Sequence, residues 1–142
     1  MCCRRAGEGS KTRTALPPVQ YENAQRILGY AKAVGETMAP FTHPFAEPTN
    51  YPAASREIRT AISRLSALTP PPQLRARHVH ILHGLRGQLS TNRKLEAAGR
   101  SHDTVAISNL VAQLQPDAET IRAGIAESNQ VLARCERRRY SC

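Results

Sequence analysis

The sequence predicts an all-α protein, an up-and-down four-helix bundle with a Pro/Phe-rich strap between helices one and two. Apolar side chains recur at steps of three and four in four separate segments, the period of a helix with one buried face. Nine of the ten prolines fall between or at the edges of those segments, at Pro17 and Pro18, between Pro40 and Pro52, and at Pro70, Pro71 and Pro72. Aromatic residues make up only 4% of the chain and Trp is absent, which favours thin Ala-and-Leu helix seams over a β-sandwich. The 142 residues suggest one domain, large enough to bury a core without covalent staples. Residues 1–16 read as a disordered basic leader, 17–136 as the bundle and 137–142 as a basic tail.

Helix one should open at Pro17-Pro18 and run to about Met38, with Tyr21, Ala24, Leu28, Ala31, Gly35 and Met38 along its seam. Residues 39–53 hold four prolines and both phenylalanines, Phe41 and Phe45. Prolines at that density argue against a helix, and a solvated linker seldom holds a chain's only Phe residues. The stretch therefore reads as an extended strap pinned across the bundle by Phe41, Phe45 and Tyr51. Its functional reading is a polyproline-like recognition motif.

Helix two should span about 54–68, with Ser55 as N-cap and Ile58, Ala61, Ile62, Leu65 and Leu68 facing inward. Pro70 disfavours the helical conformation in the residue before it, and Pro71 or Pro72 can open helix three. Helix three should run from about Pro72 to Ala98, with Gly99 as its C-terminal glycine. Its inward face is Leu74, His78, Ile81, Leu85, Leu89 and Asn92; Arg75, Arg77, His80, His83, Arg86 and Arg93 fall elsewhere. Helix four should run from about Asp103 to Cys135, with one face held by Ile107, Leu110, Val111, Leu114, Ala118, Ile121, Ile125 and Leu132. Pro116 points away from that face, so a kink on the solvent side fits better than a break.

The net charge is +9. Residues 1–14 and residues 134–142 each contribute +3, and the rest of the chain +3. Basic tails attract nucleic acid or anionic membrane surfaces, and they also serve as solubilising ends. Arg134, Arg137, Arg138 and Arg139 form the candidate basic patch. No apolar run approaches the ~18 residues of a membrane-spanning helix. Met1 to Ala15 lacks the apolar stretch of a secretory signal.

The four cysteines, Cys2, Cys3, Cys135 and Cys142, lack metal-ligand spacing. A Cys135–Cys142 loop, an end-to-end bridge and free thiols all fit the sequence. His78, His80 and His83 cluster in sequence, but His78 falls on the inward face and the other two outside. No third ligand stands near, so no metal is expected. No nucleophile has a base beside it, no glycine-rich phosphate loop occurs, and no Glu-x-x-His motif faces inward. The expectation is a non-enzyme without cofactor. Arg75, Arg77, Arg86 and Arg93 make the exterior of helix three basic, with no Tyr or Phe interleaved for base stacking.

Four features resemble uncharacterised small helical proteins of actinobacteria, many of them lipoprotein-like. They are the strap from Pro40-Phe41 to Pro44-Phe45, the Leu-x-x-Leu-x-Pro-Pro hinge from Leu65 to Pro71, His78 after it, and Cys135 closing the last helix. The resemblance covers roughly residues 20–135. It implies a four-helix architecture in a cell-envelope setting, with no known activity. The chain departs from the group in showing no signal segment or lipobox. If an upstream signal precedes Met1, Cys2 or Cys3 becomes the lipid anchor; otherwise the protein stays in the cytoplasm.

The leading expectation is a non-catalytic binding module of the envelope, with an envelope protein or a small apolar ligand as partner. Its candidate ligand-binding residues are His78, Asn92, Phe41 and Phe45. The alternative is a cytoplasmic basic protein that binds nucleic acid or another anionic surface non-specifically through its tails. His78 and Asn92 are the only polar residues on the inward face of helix three. Both must find partners there. Burial and the positive helix end both oppose protonation of His78, so a neutral ring is expected, bonded to a carbonyl or hydroxyl of the strap or of helix four. A sharper expectation places His78 in a small cavity with the Phe41–Phe45 strap as its lid.

Overall fold

The computed structural model describes residues 18–41 and 50–138. It is an all-α four-helix bundle: α1 (Pro18–Met38), α2 (Tyr51–Ser66), α3 (Arg75–Arg100) and α4 (Thr104–Arg137), with no strand among the described residues. Single 3-10 turns follow α1 (Ala39–Phe41) and precede α3 (Pro72–Leu74). Most of the strap, residues 42–49 with Phe45, lies outside the described residues, as do the leader and residues 139–142.

The helices are arranged as a square. α3 packs most extensively on α4, then on α2, while α1 rests on α2 and α4; the backbones of α1 and α3 nowhere approach closely. The core is formed by Ile27, Tyr30, Val34 and Met38 of α1, Ile58, Ala61 and Leu65 of α2, Ile81, Leu82 and Leu85 of α3, and Ile121 and Cys135 of α4, with Leu74 from the hinge.

The inward face of α1 is rotated from the expected one. Ala24, Ile27, Tyr30, Val34 and Met38 are buried, whereas Tyr21 and Gly35 are exposed. Both faces have helical spacing. The one carrying Ile27, Tyr30 and Val34 removes more apolar area from water, at roughly 25 cal/mol per Å².

α2 starts earlier than expected. Asn50 caps it by accepting the Ala53 N–H at 3.0 Å, and Pro52 sits in the first turn, where it has no helical bond to lose. Ser55 is therefore not a cap; it is fully buried inside the helix. Prolines 40 and 52 are likewise compatible with helical turns because they occupy turn starts, so the strap is shorter than 39–53.

α3 runs through Gly99 and ends at Arg100. The residue with left-handed backbone is His102 (φ 54°), and no described glycine has positive φ. Asp103 then caps α4, accepting the Ala106 N–H at 2.9 Å. α4 is one continuous helix through Pro116, whose side chain is exposed.

α3 and α4 interlock through glycines. A methyl group on Gly84 would lie 2.6 Å from Ile121 Cγ1 and 2.9 Å from the Asp117 carbonyl oxygen. On Gly124 it would lie 2.7 Å from Ile81 Cγ1. Each isoleucine fills the space above the opposite helix's glycine, which brings the two backbones close. Arg77 reaches Glu127 across the same seam, Nε to Oε2 at 3.0 Å. The upper part of the α4 stripe is not closed over. Ile107, Leu110 and Leu114 are half-buried, and Val105 and Val111 are 70% and 46% exposed. The 34 residues of α4 outrun the 21 of α1, so among the described residues α1 does not match the full length of α4.

Candidate functional site

Two of the four candidate ligand residues sit in separate, internally satisfied arrangements. His78 is 7% exposed, and its Nδ1 lies 2.8 Å from the Tyr30 hydroxyl. The two rings are tilted with centroids 5.7 Å apart. Burial lowers the His78 pKa from its ordinary value and pushes Tyr30 up to about 12. Both shifts favour the same pairing, in which a protonated Tyr30 donates its O–H to a neutral imidazole. The partner expected on the strap or on α4 is thus on α1.

Asn92, 3% exposed, donates through Nδ2 to the Tyr51 carbonyl and to Ser55 Oγ, both at 2.7 Å. Ser55 in turn donates to Glu96. This chain ties the start of α2 to the far end of α3. His78 and Asn92 are four helical turns apart on α3, and nothing converges on both. Phe41 packs half-buried on the core, and Phe45 is outside the described residues.

A groove of about 680 Å³ does exist, at the hinge. Ile27, Tyr30, Leu68 and the prolines 70, 71 and 72 line it, with Arg26 and Arg75. His78 is not among its lining residues, and the expected cavity under the strap involves residues 42–49, which lie outside the described residues. Among the described residues, the buried Gln88 Oε1 has no hydrogen-bond partner. Gln88 and Thr91 are buried on α3 together with His78 and Asn92, so those two are not the only polar residues of its inward side.

No group of three metal-binding side chains occurs among the described residues, where His80 and His83 are exposed on the outside of α3. No helix there is long and apolar enough to cross a membrane. Cys135 is buried and disulfide-bonded, its partner lying outside the described residues. Cys2 and Cys3, the candidate anchors, lie outside them too. Arg134, Arg137 and Arg138 are exposed on the last turn of α4 and its end; Arg139 is outside the description.

The net charge is concentrated in α2 and α3 more than in the tails. Residues 51–100 carry nine basic residues and two acids, a net +7. Residues 18–41 are neutral, and residues 103–138 carry −1. Of the nine, Arg56, Arg59, Arg64, Arg75, Arg86, Arg93, Lys94 and Arg100 are exposed, and only the half-buried Arg77 is in an ion pair with a described residue. Of the two acids, Glu96 is bonded to Ser55 and Glu57 is exposed. This charge was countable in the sequence. Over residues 15–133 the sum falls to +3, because Glu47, Asp103 and the acids of α4 offset it.

The structure therefore defines a helical bundle with one basic face. No family model, curated protein or solved structure matches the chain.

Proposed function

We propose that the protein is a non-catalytic helical binding module whose working surface is the outer face of α2 and α3, and that its partner is an anionic macromolecule. One observation carries the reading: eight exposed basic side chains on these two helices, none in an ion pair with a described residue. Like charges held together destabilise a folded chain through mutual repulsion, and a polyanion relieves that repulsion by binding. The test is retention on a heparin matrix. Replacing Arg86, Arg93 and Arg100 with Gln should move elution to clearly lower salt at unchanged helix content. Elution unchanged by those replacements would defeat the reading.

A cell-envelope setting is the second reading, supported by the disulfide-bonded Cys135, since disulfides persist in oxidising compartments. Thiol titration of protein taken directly from cells tests it. A blocked Cys135 supports the envelope, and a freely reactive one after unfolding points to the cytoplasm.

A further inference from the structure

We infer that the anionic partner is duplex nucleic acid, gripped along its phosphate backbone by an arginine row on α3 and the adjoining arginines of α2. This rests on the basic-face reading above. Arg86, Arg93 and Arg100 are spaced by seven, and Arg75 lies eleven before Arg86. Steps of seven and eleven both return to nearly the same side of an α-helix, within ~20°. All four are exposed. They run the whole of α3, which starts at Arg75 and ends at Arg100, a length of ~39 Å at 1.5 Å per residue. That is about one turn of a duplex, which measures ~34–36 Å.

The α2 arginines extend the row sideways. Ser55 meets Asn92 and Glu96 of α3, which fixes α2 beside the upper half of the row. Arg59 is one turn on from Ser55, and Arg56 is its neighbour; both are exposed. A two-helix strip of this kind places cations on both flanks of one seam, as a backbone-tracking contact requires.

Two features choose the duplex over other polyanions. Single strands are held by stacking their bases on aromatic side chains, and the only aromatic residue of α2 or α3 besides the histidines, Tyr51, is half-buried with Gly99 close to its ring. Membrane surfaces are held by basic residues together with inserted apolar side chains, and among residues 51–100 the only large hydrophobic that is strongly exposed is Val79. What is left is charge without stacking or insertion. Eight of the nine basic residues are also Arg, whose planar fork bonds two phosphate oxygens at once.

The experiment is fluorescence-anisotropy titration of the full chain against a duplex of about two turns, repeated across a salt series. If six arginines displace counterions, log affinity should fall with log salt at a slope of about −5. R86Q/R93Q/R100Q should flatten that slope by about 3 at unchanged circular dichroism. R134Q/R137Q/R138Q, on the tail, should leave most of it. A duplex that is not bound, while phosphatidylglycerol vesicles are bound through the same arginines, overturns the nucleic-acid inference and leaves the basic-face reading standing. Duplex binding lost only in the tail variant overturns the surface assigned here. Loss of all polyanion binding overturns both readings.

Discussion

The Tyr30 hydroxyl reaches His78 Nδ1 across the diagonal of the bundle, at 2.8 Å, between two helices whose backbones nowhere come close. It is a polar tie beside the apolar core, and it holds the helix that packs least extensively on the others. Its strength depends on His78 remaining neutral.

Stability should therefore fall in mild acid. The folded-state pKa of His78 is depressed by burial, so the unfolded chain binds a proton first as pH drops. The stabilising contribution is complete above the ordinary His value of ~6.5 and is lost as pH falls from there through the lower folded value. Urea midpoints measured from pH 8 to pH 5 should decline below ~6.5. H78L should flatten that decline. An equally steep decline in H78L would assign it to other groups.

Tyr30→Phe keeps the ring and removes the donor. It leaves the buried Nδ1 of His78 unpaired, at an expected cost of about 1–3 kcal/mol. Chemical denaturation gives the value, and a neutral result would show that the bond contributes nothing net.

Gly84→Ala should destabilise the protein by about 1–3 kcal/mol, because the added methyl meets Ile121 and the Asp117 backbone and α3 must move off α4. Gly35→Ala on α1 is the contrasting case. Nothing lies within 4 Å of the added atom, so it should stabilise by up to ~1 kcal/mol through helix propensity. Thermal melts of the two variants should shift in opposite directions.

Pro116→Ala should stabilise α4. Pro116 is exposed inside a continuous helix, and alanine restores a backbone N–H while removing the ring's clash with the preceding turn. The gain should approach, without exceeding, the ~3 kcal/mol by which proline disfavours a helix interior. An unchanged melting temperature would mean that the bundle already compensates for the missing hydrogen bond.

A double-mutant cycle of Ser55→Ala and Asn92→Ala should give a coupling of about 0.5–3 kcal/mol, since the two side chains share one hydrogen bond. Additive effects would show that the Tyr51 carbonyl alone satisfies Asn92.

The sequence by itself determined the four helices, because period, proline placement and composition are local signals that agree with one another. It also determined that His78 and Asn92 face inward and that α4 passes through Pro116. Local signals could not place the cap of α2 or the end of α3, where Pro52 and Gly99 are compatible with either side of a boundary. They could not choose between two faces of α1 with the same helical spacing. Only packing against α2 and α4 decided that Ile27, Tyr30 and Val34 turn inward. The partner of His78 was likewise out of reach, since Tyr30 lies 48 residues away on the opposite corner. The row of arginines was written in the spacing of α3, but its extension onto α2 came only with the register set by Ser55, Asn92 and Glu96. A helix's period gives the face each residue shares, and tertiary packing decides what that face meets.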